Sequence, residues 1–595
     1  MEETGAKLFR RLRRSVPRTH RQELRHIVRM TGPLLLSRFL QYLLPFVVTI
    51  FCGRLGNEVM AGYGLASATI NVTTIATGIG LAMACDTLVS QTFGGKNLLR
   101  VGVILQRGVL ILLLFCLPCW SLLINAQAIL LSLGQNPEVA RIAQLYITAF
   151  LPAVPAIFLY QLQVSYLQNQ GIILPQMYAA ALANIANVVT NYILIHWMDL
   201  GVNGSAAANT LSQIYICCAL FGFIWWRRLH VRTWGGWSRE SLQDWGSYMR
   251  LAIPSALMIC FEWWVYELGG FLAGMLSENE LAAQHAVIMM AYITYMFPIG
   301  VQVAACVRVG NALGAGDTAG AILASRVSLA LAGGMAVVLG LVLVSTKTVI
   351  GFIFTSDEHI VSLVSYLMNV HCVLHFFESM VCVCVGILLG AGKQKIAAVA
   401  NLIGYYCVGL PLAITLMFVA KLRILGFWLG LIICVCIQST SYVTVILKLD
   451  WDRITEEAVK RARKNSCAAS QRDAAGLSGL VGDDAPEQIA GGGNSANNHT
   501  SGTEEGQDGG SGSPYEHAVQ QTGGELSRGP LSPTQLILRR GTTTFALLAV
   551  LAVGISVHLL LPLPQTFLSG GNRTTDWINT THAPDLVQPT VPNSE

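Results

Sequence analysis

The feature that most constrains this chain is a series of thirteen apolar stretches, each long enough to cross a bilayer. They cover about 33–53, 60–93, 108–124, 142–167, 176–197, 204–226, 248–276, 281–303, 326–344, 358–388, 395–419, 424–447 and 541–561. A hydrocarbon core of about 30 Å needs roughly 20 apolar residues per helix. In lipid every backbone polar group must be bonded within the structure, which leaves helices or closed barrels. No alternating barrel pattern competes, so the predicted fold class is all-α integral membrane. Composition agrees: of 595 residues, 53% are hydrophobic and only 12% charged, against about a quarter charged in soluble domains. That is too little charge to coat a soluble enzyme. A net charge of +5 spread over the whole chain gives no footprint for nucleic acid.

Basic residues favour the cytosolic side of a membrane, and their distribution predicts the orientation. Residues 1–30 carry nine arginines and lysines and no apolar run, so they read as a cytosolic basic arm rather than a secretory signal. Loops after even-numbered stretches are also basic: Lys96, Arg100 and Arg107; Arg227, Arg228, Arg232 and Arg239; Arg308 and Arg326; Lys393 and Lys395. The pattern is breached once, by Lys421 and Arg423. The expected organisation is an N-lobe over 31–226, a cytosolic linker at 227–247 and a C-lobe over 248–447. A cytosolic, largely disordered linker at 448–540, a thirteenth span at 541–561 and an extracellular tail at 562–595 follow. Residues 465–537 are rich in Gly, Ser, Asn, Asp and Glu, a composition that cannot bury enough apolar surface to fold. The tail holds two glycosylation sequons, at Asn572 and Asn579. Most of the fifteen cysteines fall inside apolar stretches and read as free thiols. The pair Cys116 and Cys119 is expected to be an inert, lipid-buried example.

The first twelve stretches form two similar sets of six. Pro33, near the start of the first stretch, is matched by Pro254 near the start of the seventh. Phe93-Gly94-Gly95-Lys96-Asn97 recurs as Leu313-Gly314-Ala315-Gly316-Asp317, and Leu182-Ala183-Asn184 as Val399-Ala400-Asn401, at a nearly constant offset. Six spans per repeat keep both halves in the same orientation, which predicts two six-helix bundles about an axis along the membrane normal.

An ionised group in the hydrocarbon costs on the order of 3 kcal/mol, so each one needs a reason. The candidates are Arg38, Asp86, Glu262, Glu267, His285, His371, His375 and Glu378. Glu262 and Glu267 share one span, with Tyr266 one turn from Glu262 and Trp263 one turn from Glu267. Carboxylates beside aromatic rings suit a flat organic cation, through charge pairing and cation–π attraction. Gln41 occupies the repeat position of Glu262, so the first half keeps polarity there and drops the charge. His375 precedes Glu378 by three residues, on the same helix face. A desolvated carboxyl holds a proton when empty and can release it to a cation. Asp86 either binds a cation or holds neighbouring helices, and Arg38 is expected to snorkel to the near interface. Pro152, Pro155, Pro254, Pro298 and Pro411 interrupt spans and serve either as hinges or as static kinks. No Walker loop, metal-ligand spacing or soluble catalytic motif is found in the sequence. No enzyme activity, cofactor, metal or obligate protein partner is expected; the bilayer is.

The run Ala84-Cys85-Asp86-Thr87-Leu88-Val89-Ser90-Gln91, the Gly-Gly-Trp-Ser stretch at 235–238 and Glu262-Trp-Trp-x-x-Glu267 are distinctive together. So are Val307-Arg308-Val309-Gly310-Asn311-Ala312-Leu313-Gly314, His375-Phe-Phe-Glu378 and Gly404-Tyr-Tyr-x-Val-Gly-Leu-Pro411. With these segments the chain resembles the multidrug and toxin extrusion (MATE) transporters, most closely the vertebrate type, over about 25–450 and into the thirteenth span. The resemblance implies two six-helix lobes about a central cavity and export of organic cations by alternating access. The coupling ion it implies is the proton, with roles for Glu262, Glu267 and Glu378. It also implies a plasma membrane location, with the apical membrane of a polarised cell as one setting. Sodium coupling on the same fold, a lipid flippase and a non-transporting membrane protein are the alternatives. Two positions depart from the family pattern: Met289 stands where relatives usually carry a glutamate, and Leu389 where they carry an arginine.

Overall fold

A computed structural model of the chain describes residues 18–353, 357–463 and 532–560, and no strand occurs among them. The first half comprises α1 (Arg18–Leu55), α2 (Glu58–Gly94), α3 (Leu98–Ile124), the bent pair α4 (Pro137–Phe150) and α5 (Ala153–Gln168), α6 (Leu174–Trp197) and α7 (Gly201–Trp226). The second comprises α8 (Trp245–Gly274), α9 (Asn279–Ala315), α10 (Thr318–Ile350), α11 (Glu358–Ala391), α12 (Gln394–Val419) and α13 (Ile424–Lys448). An amphipathic helix, α14 (Trp451–Arg463), follows, and α15 (Thr534–Leu560) ends the described chain. Twelve helices are long and apolar enough to cross a membrane, and the bent pair makes thirteen spans, matching the thirteen stretches read from the sequence. The protein is an all-helical, multi-pass membrane protein. The described residues up to 463, with 538–560, form one unit; of the stretch between, only 532–537 are described, leading into α15.

The repeat is written into the turns. Asn136 caps α4 by accepting from the backbone N–H of Glu138 and Val139; Asp357, at the corresponding place in the second half, caps α11 through His359 and Ile360. Side-chain oxygens at these caps satisfy amides that the first helical turn leaves unpaired. Gly171 and Gly392 both take left-handed conformations, with φ of 76° and 72°, where α5 and α11 end. Only glycine adopts that region without strain. The π-helical turns Ile193–Trp197 and Thr415–Val419 also correspond. Each half has its own hydrophobic core, one around Val48, Val89 and Leu112, the other around Val309, Leu374 and Trp428.

Within the expected basic arm of 1–30, α1 already starts at Arg18, and Glu23 there is buried. Glu23 receives Nε and Nη2 of Arg308, both at 2.7 Å, tying the start of α1 to α9. The linker expected from 448 includes the ordered α14, whose Ile454, Thr455, Ala458 and Ala462 are buried. The fourth span is bent by 58° between Phe150 and Ala153, at Pro152. Proline there lacks the N–H a continuous helix needs; the other four prolines sit within helices without such a break. All fourteen cysteines among the described residues are free, Cys116 and Cys119 included. Residues 1–17, the part of the expected disordered stretch up to 531, and the sequons at Asn572 and Asn579 lie outside the described residues.

The halves meet most tightly at the end carrying Gly94, Gly314 and Gly392. Thr87 Oγ1 donates to the carbonyl of Leu389 at 2.7 Å, Gln91 Nε2 to that of Gly390 at 2.8 Å, and Gln394 Nε2 to Thr87 Oγ1 at 2.6 Å. A β-carbon on Gly94 would strike the backbone of Asn311, and one on Gly314 the backbone of Gln91. Helix α14 lies across the same end. Its Arg461 donates to Gln91 (2.8 Å), its Thr455 pairs with Thr318 (2.9 Å), and its Glu457 with Lys393 (2.9 Å). One helix therefore bonds to both halves where they close together.

Candidate functional site

The sequence marks four carboxylates inside the spans, and the structure sorts them into three environments. Glu262 on α8 and Glu378 on α11 belong together. Tyr295 of α9 donates its hydroxyl to Glu262 Oε1 at 2.8 Å. Tyr266, one turn beyond Glu262, donates to Glu378 Oε1. Glu378 is 8% exposed, and Tyr405 on α12, 3% exposed, lies within electrostatic reach of both carboxyls. Four helices of the second half thus surround two acidic groups with phenol hydroxyls. Among the described residues no lysine or arginine lies within hydrogen-bonding or electrostatic reach of either.

Hydrogen bonds from hydroxyls offset part of the desolvation of a carboxylate, but they bring no charge. An anionic group here is short of a positive partner. It is satisfied in one of two ways: it takes up a proton, or a cation comes to it.

Glu267 stands apart, more than a turn further along α8. Its electrostatic neighbour is Tyr292 of α9. The Tyr292 ring lies 6.4 Å from that of Tyr42 on α1, and the Tyr42 hydroxyl points at Met289 Sδ, 3.6 Å away. This group spans both halves. Met289, which stands where relatives usually carry a glutamate, therefore faces Tyr42 of the opposite half.

Asp86 occupies the third environment, in the first half. Its Oδ1 accepts from Gln168 Nε2 at 3.0 Å and Asn169 Nδ2 at 2.6 Å. Arg38 lies within electrostatic reach of it. Arg38 also donates to Gln41 Oε1 at 3.3 Å, and Gln41 Nε2 to Ser37 Oγ at 3.1 Å. Gln41 is thus held by a cation of its own half. Arg38 was expected to snorkel outward. It instead sits mid-way along α1 and serves this internal network, because the helix begins well before the apolar stretch.

Other expected members go elsewhere. Trp263 packs on the core of the second half, whereas Trp264 reaches the first half through Nε1 to the carbonyl of Val72, at 3.2 Å. The His375 ring stands 3.5 Å from Ser379 Oγ and makes no hydrogen bond to Glu378. His371 is buried edge-on to Trp428, at 5.8 Å between ring centroids. Sequence reasoning missed Tyr295 and Tyr405. Tyr405 falls within the Gly404-Tyr-Tyr segment, but nothing local ties either residue to a carboxylate on another helix.

Comparison with known proteins gives a consistent picture. The family model described as MatE matches twice, over residues 33–193 and 254–415. One match falls on each half, in step with the repeat. The chain is 46% identical over 557 residues to multidrug and toxin extrusion protein 1 of Danio rerio, covering 93% of each chain. It is 45% identical over 544 residues to the Homo sapiens protein of that name, covering 90% of this chain and 94% of the other. Among solved structures, the eukaryotic MATE transporter AtDTX14 superposes with a TM-score of 0.72 at 27% identity, over 74% of this chain and 99% of that one.

Proposed function

The chain belongs to the MatE family of membrane transporters, and we propose that it exports organic cations in exchange for protons by alternating access. The observation that carries this reading is the pair Glu262 and Glu378, set among tyrosine hydroxyls with no basic partner among the described residues. Its relatives are named for multidrug and toxin extrusion. A cationic drug and a proton both answer the same shortage of positive charge, so each excludes the other.

The cycle follows from that exclusion. When the site faces outward, protons bind Glu378, Glu267 or Glu262 and displace the drug. When it faces the cytosol, a cation binds as the carboxylates deprotonate. Glu267, with the rings of Tyr292 and Tyr42 nearby, offers charge and π-faces to the cation where the halves adjoin. Met289 removes one carboxylate from that group, which favours monovalent over divalent substrates. Exchange of one proton for one monovalent cation is electroneutral; any net charge moved couples to the membrane potential at about 2.3 kcal/mol per 100 mV.

With the N-terminus in the cytosol, the end closed by Thr87, Gln91 and α14 is the cytosolic one, and the two lobes rock apart there to admit substrate. The thirteenth span then carries the C-terminus outside, in keeping with glycosylation at Asn572 and Asn579 at the plasma membrane. The test is uptake of radiolabelled tetraethylammonium into expressing cells acidified inside by ammonium removal. Stimulated uptake that is lost in Glu262→Gln supports the exchange. Uptake that follows an imposed sodium gradient and ignores pH contradicts it.

A further inference from the structure

Away from the carboxylates, three arginines from two separate parts of the chain gather beside the linker that joins the halves. Arg100 and Arg107 lie two turns apart on one face of α3, and Arg540 comes from the start of α15. All three are within electrostatic reach of Asp244, and Arg107 of Arg100 and Arg540 as well. Arg107 is buried, 6% exposed, and donates Nη2 to the Glu240 carbonyl at 3.0 Å. Its Nε has no partner, nor has Nη1 of Arg100. Arg540 donates Nε to the carbonyl of Leu242 at 2.9 Å and lays its guanidinium 4.2 Å from the centre of the Trp245 ring.

The donors outnumber the acceptors here. Each guanidinium offers five N–H groups in a planar fork. Against three of them stand the carboxylates of Asp244 and Glu240 and two backbone carbonyls, leaving net positive charge and unpaired N–H groups. A buried N–H without an acceptor is costly, so the cluster suits an acceptor that the described residues do not supply. Forked guanidiniums match the oxygens of a phosphate.

The surroundings say where that phosphate comes from. The adjoining linker exposes Trp225, Trp226, Val231 and Trp237 among Arg227, Arg228, Arg232 and Arg239. Tryptophans interleaved with arginines mark the headgroup level of a bilayer. Basic pockets between spanning helices on the cytosolic side suit anionic headgroups. The geometry points to a binding site for the phosphate headgroup of an anionic lipid, held by Arg100, Arg107 and Arg540 between α3, the inter-half linker and α15. Such a lipid joins the thirteenth helix to the first half at the leaflet that faces the cytosol in the orientation proposed above.

The full chain, purified in mild detergent and incubated with mixed vesicles of phosphatidylcholine and phosphatidylserine, is examined by native mass spectrometry for retained lipid. The expected result is selective retention of phosphatidylserine, weakened roughly fivefold for each arginine removed in Arg540→Gln and Arg100→Gln. Arg540→Gln is read beside Arg540→Lys, which keeps the charge over Trp245 and should retain most of the lipid. Equal retention of both lipids overturns the proposal without involving any variant. Retention unchanged in the double variant overturns it too, and displacement by inorganic phosphate would reassign the site to a free anion.

Discussion

In the first half of the bundle, Asp86 is met by two amides and lies within reach of Arg38. In the second, Glu262 and Glu378 have only the hydroxyls of Tyr295 and Tyr266. The repeat makes these halves near copies in backbone, down to matching caps and turns. The difference lies in how each compensates a negative charge inside the spans. Where a cation and amides are built in, the carboxylate has compensation from its own half. Where only hydroxyls are present, compensation has to arrive from outside as a proton or a cationic substrate. Gln41, the counterpart of Glu262, marks the divergence: an amide bonded to a resident arginine replaces a carboxyl without one.

The largest test of this contrast is to remove the uncompensated charge. Glu262→Gln and Glu378→Gln are each expected to bring proton-driven flux to background, because the exchange needs a group that alternately holds a proton and a cation, with surface abundance unchanged by biotinylation. Robust flux in both would erase the distinction between the halves. Next in size is Arg38→Met, which strands Asp86. A loss of about 3 kcal/mol is expected, the upper end for a polar group left short of its partner, read as a lower melting temperature and poor surface delivery. Adding Asp86→Asn should recover most of it. Recovery of folding without recovery of flux would instead give Asp86 a transport role. Smaller again are Tyr266→Phe and Tyr295→Phe. Each removes one hydrogen bond to a carboxyl, worth about 1.5–3 kcal/mol, which leaves the carboxylate shorter of compensation, so substrate KM should fall about tenfold.

The smallest effect is expected at α14. Glu457→Gln breaks contacts with Lys393 and Arg461, but its side chain is 36% exposed, and such pairs contribute less than about 1 kcal/mol. Burial pushes the Glu457 carboxyl up, yet Lys393, Arg461 and Arg453 together hold it below its ordinary range. A value depressed in the folded state stabilises above the unfolded value, about 4.3, and that contribution fades only as pH falls through the folded one. Near neutral pH the clamp is therefore insensitive to protons, and the pH profile of flux in Glu457→Gln should overlay that of the parent.

The spans and their repeat were legible because lipid imposes length and apolarity on every crossing helix. The helix α14 was not: its apolar face is only Ile454, Ala458 and Ala462 with Thr455, set among charges that read as linker. Glu262 and Glu378 stood out as acidic residues in apolar runs, but most of the tyrosines around them come from other helices, and no periodicity links them. His375 and Trp263 lie near the carboxylates in sequence, and the structure sets His375 beside Ser379 and Trp263 against the core of the second half. The single bend among five prolines depended on local packing as much as on the residue type.

The most direct measurement compares the two halves in one assay. Tetraethylammonium flux driven by a pH gradient is recorded in proteoliposomes holding equal amounts of folded Glu378→Gln and of the Arg38→Met/Asp86→Asn pair. The account predicts flux at background in the first and near the parent rate in the second. Flux retained in Glu378→Gln and abolished in the pair would contradict it, moving the exchange site to the first half.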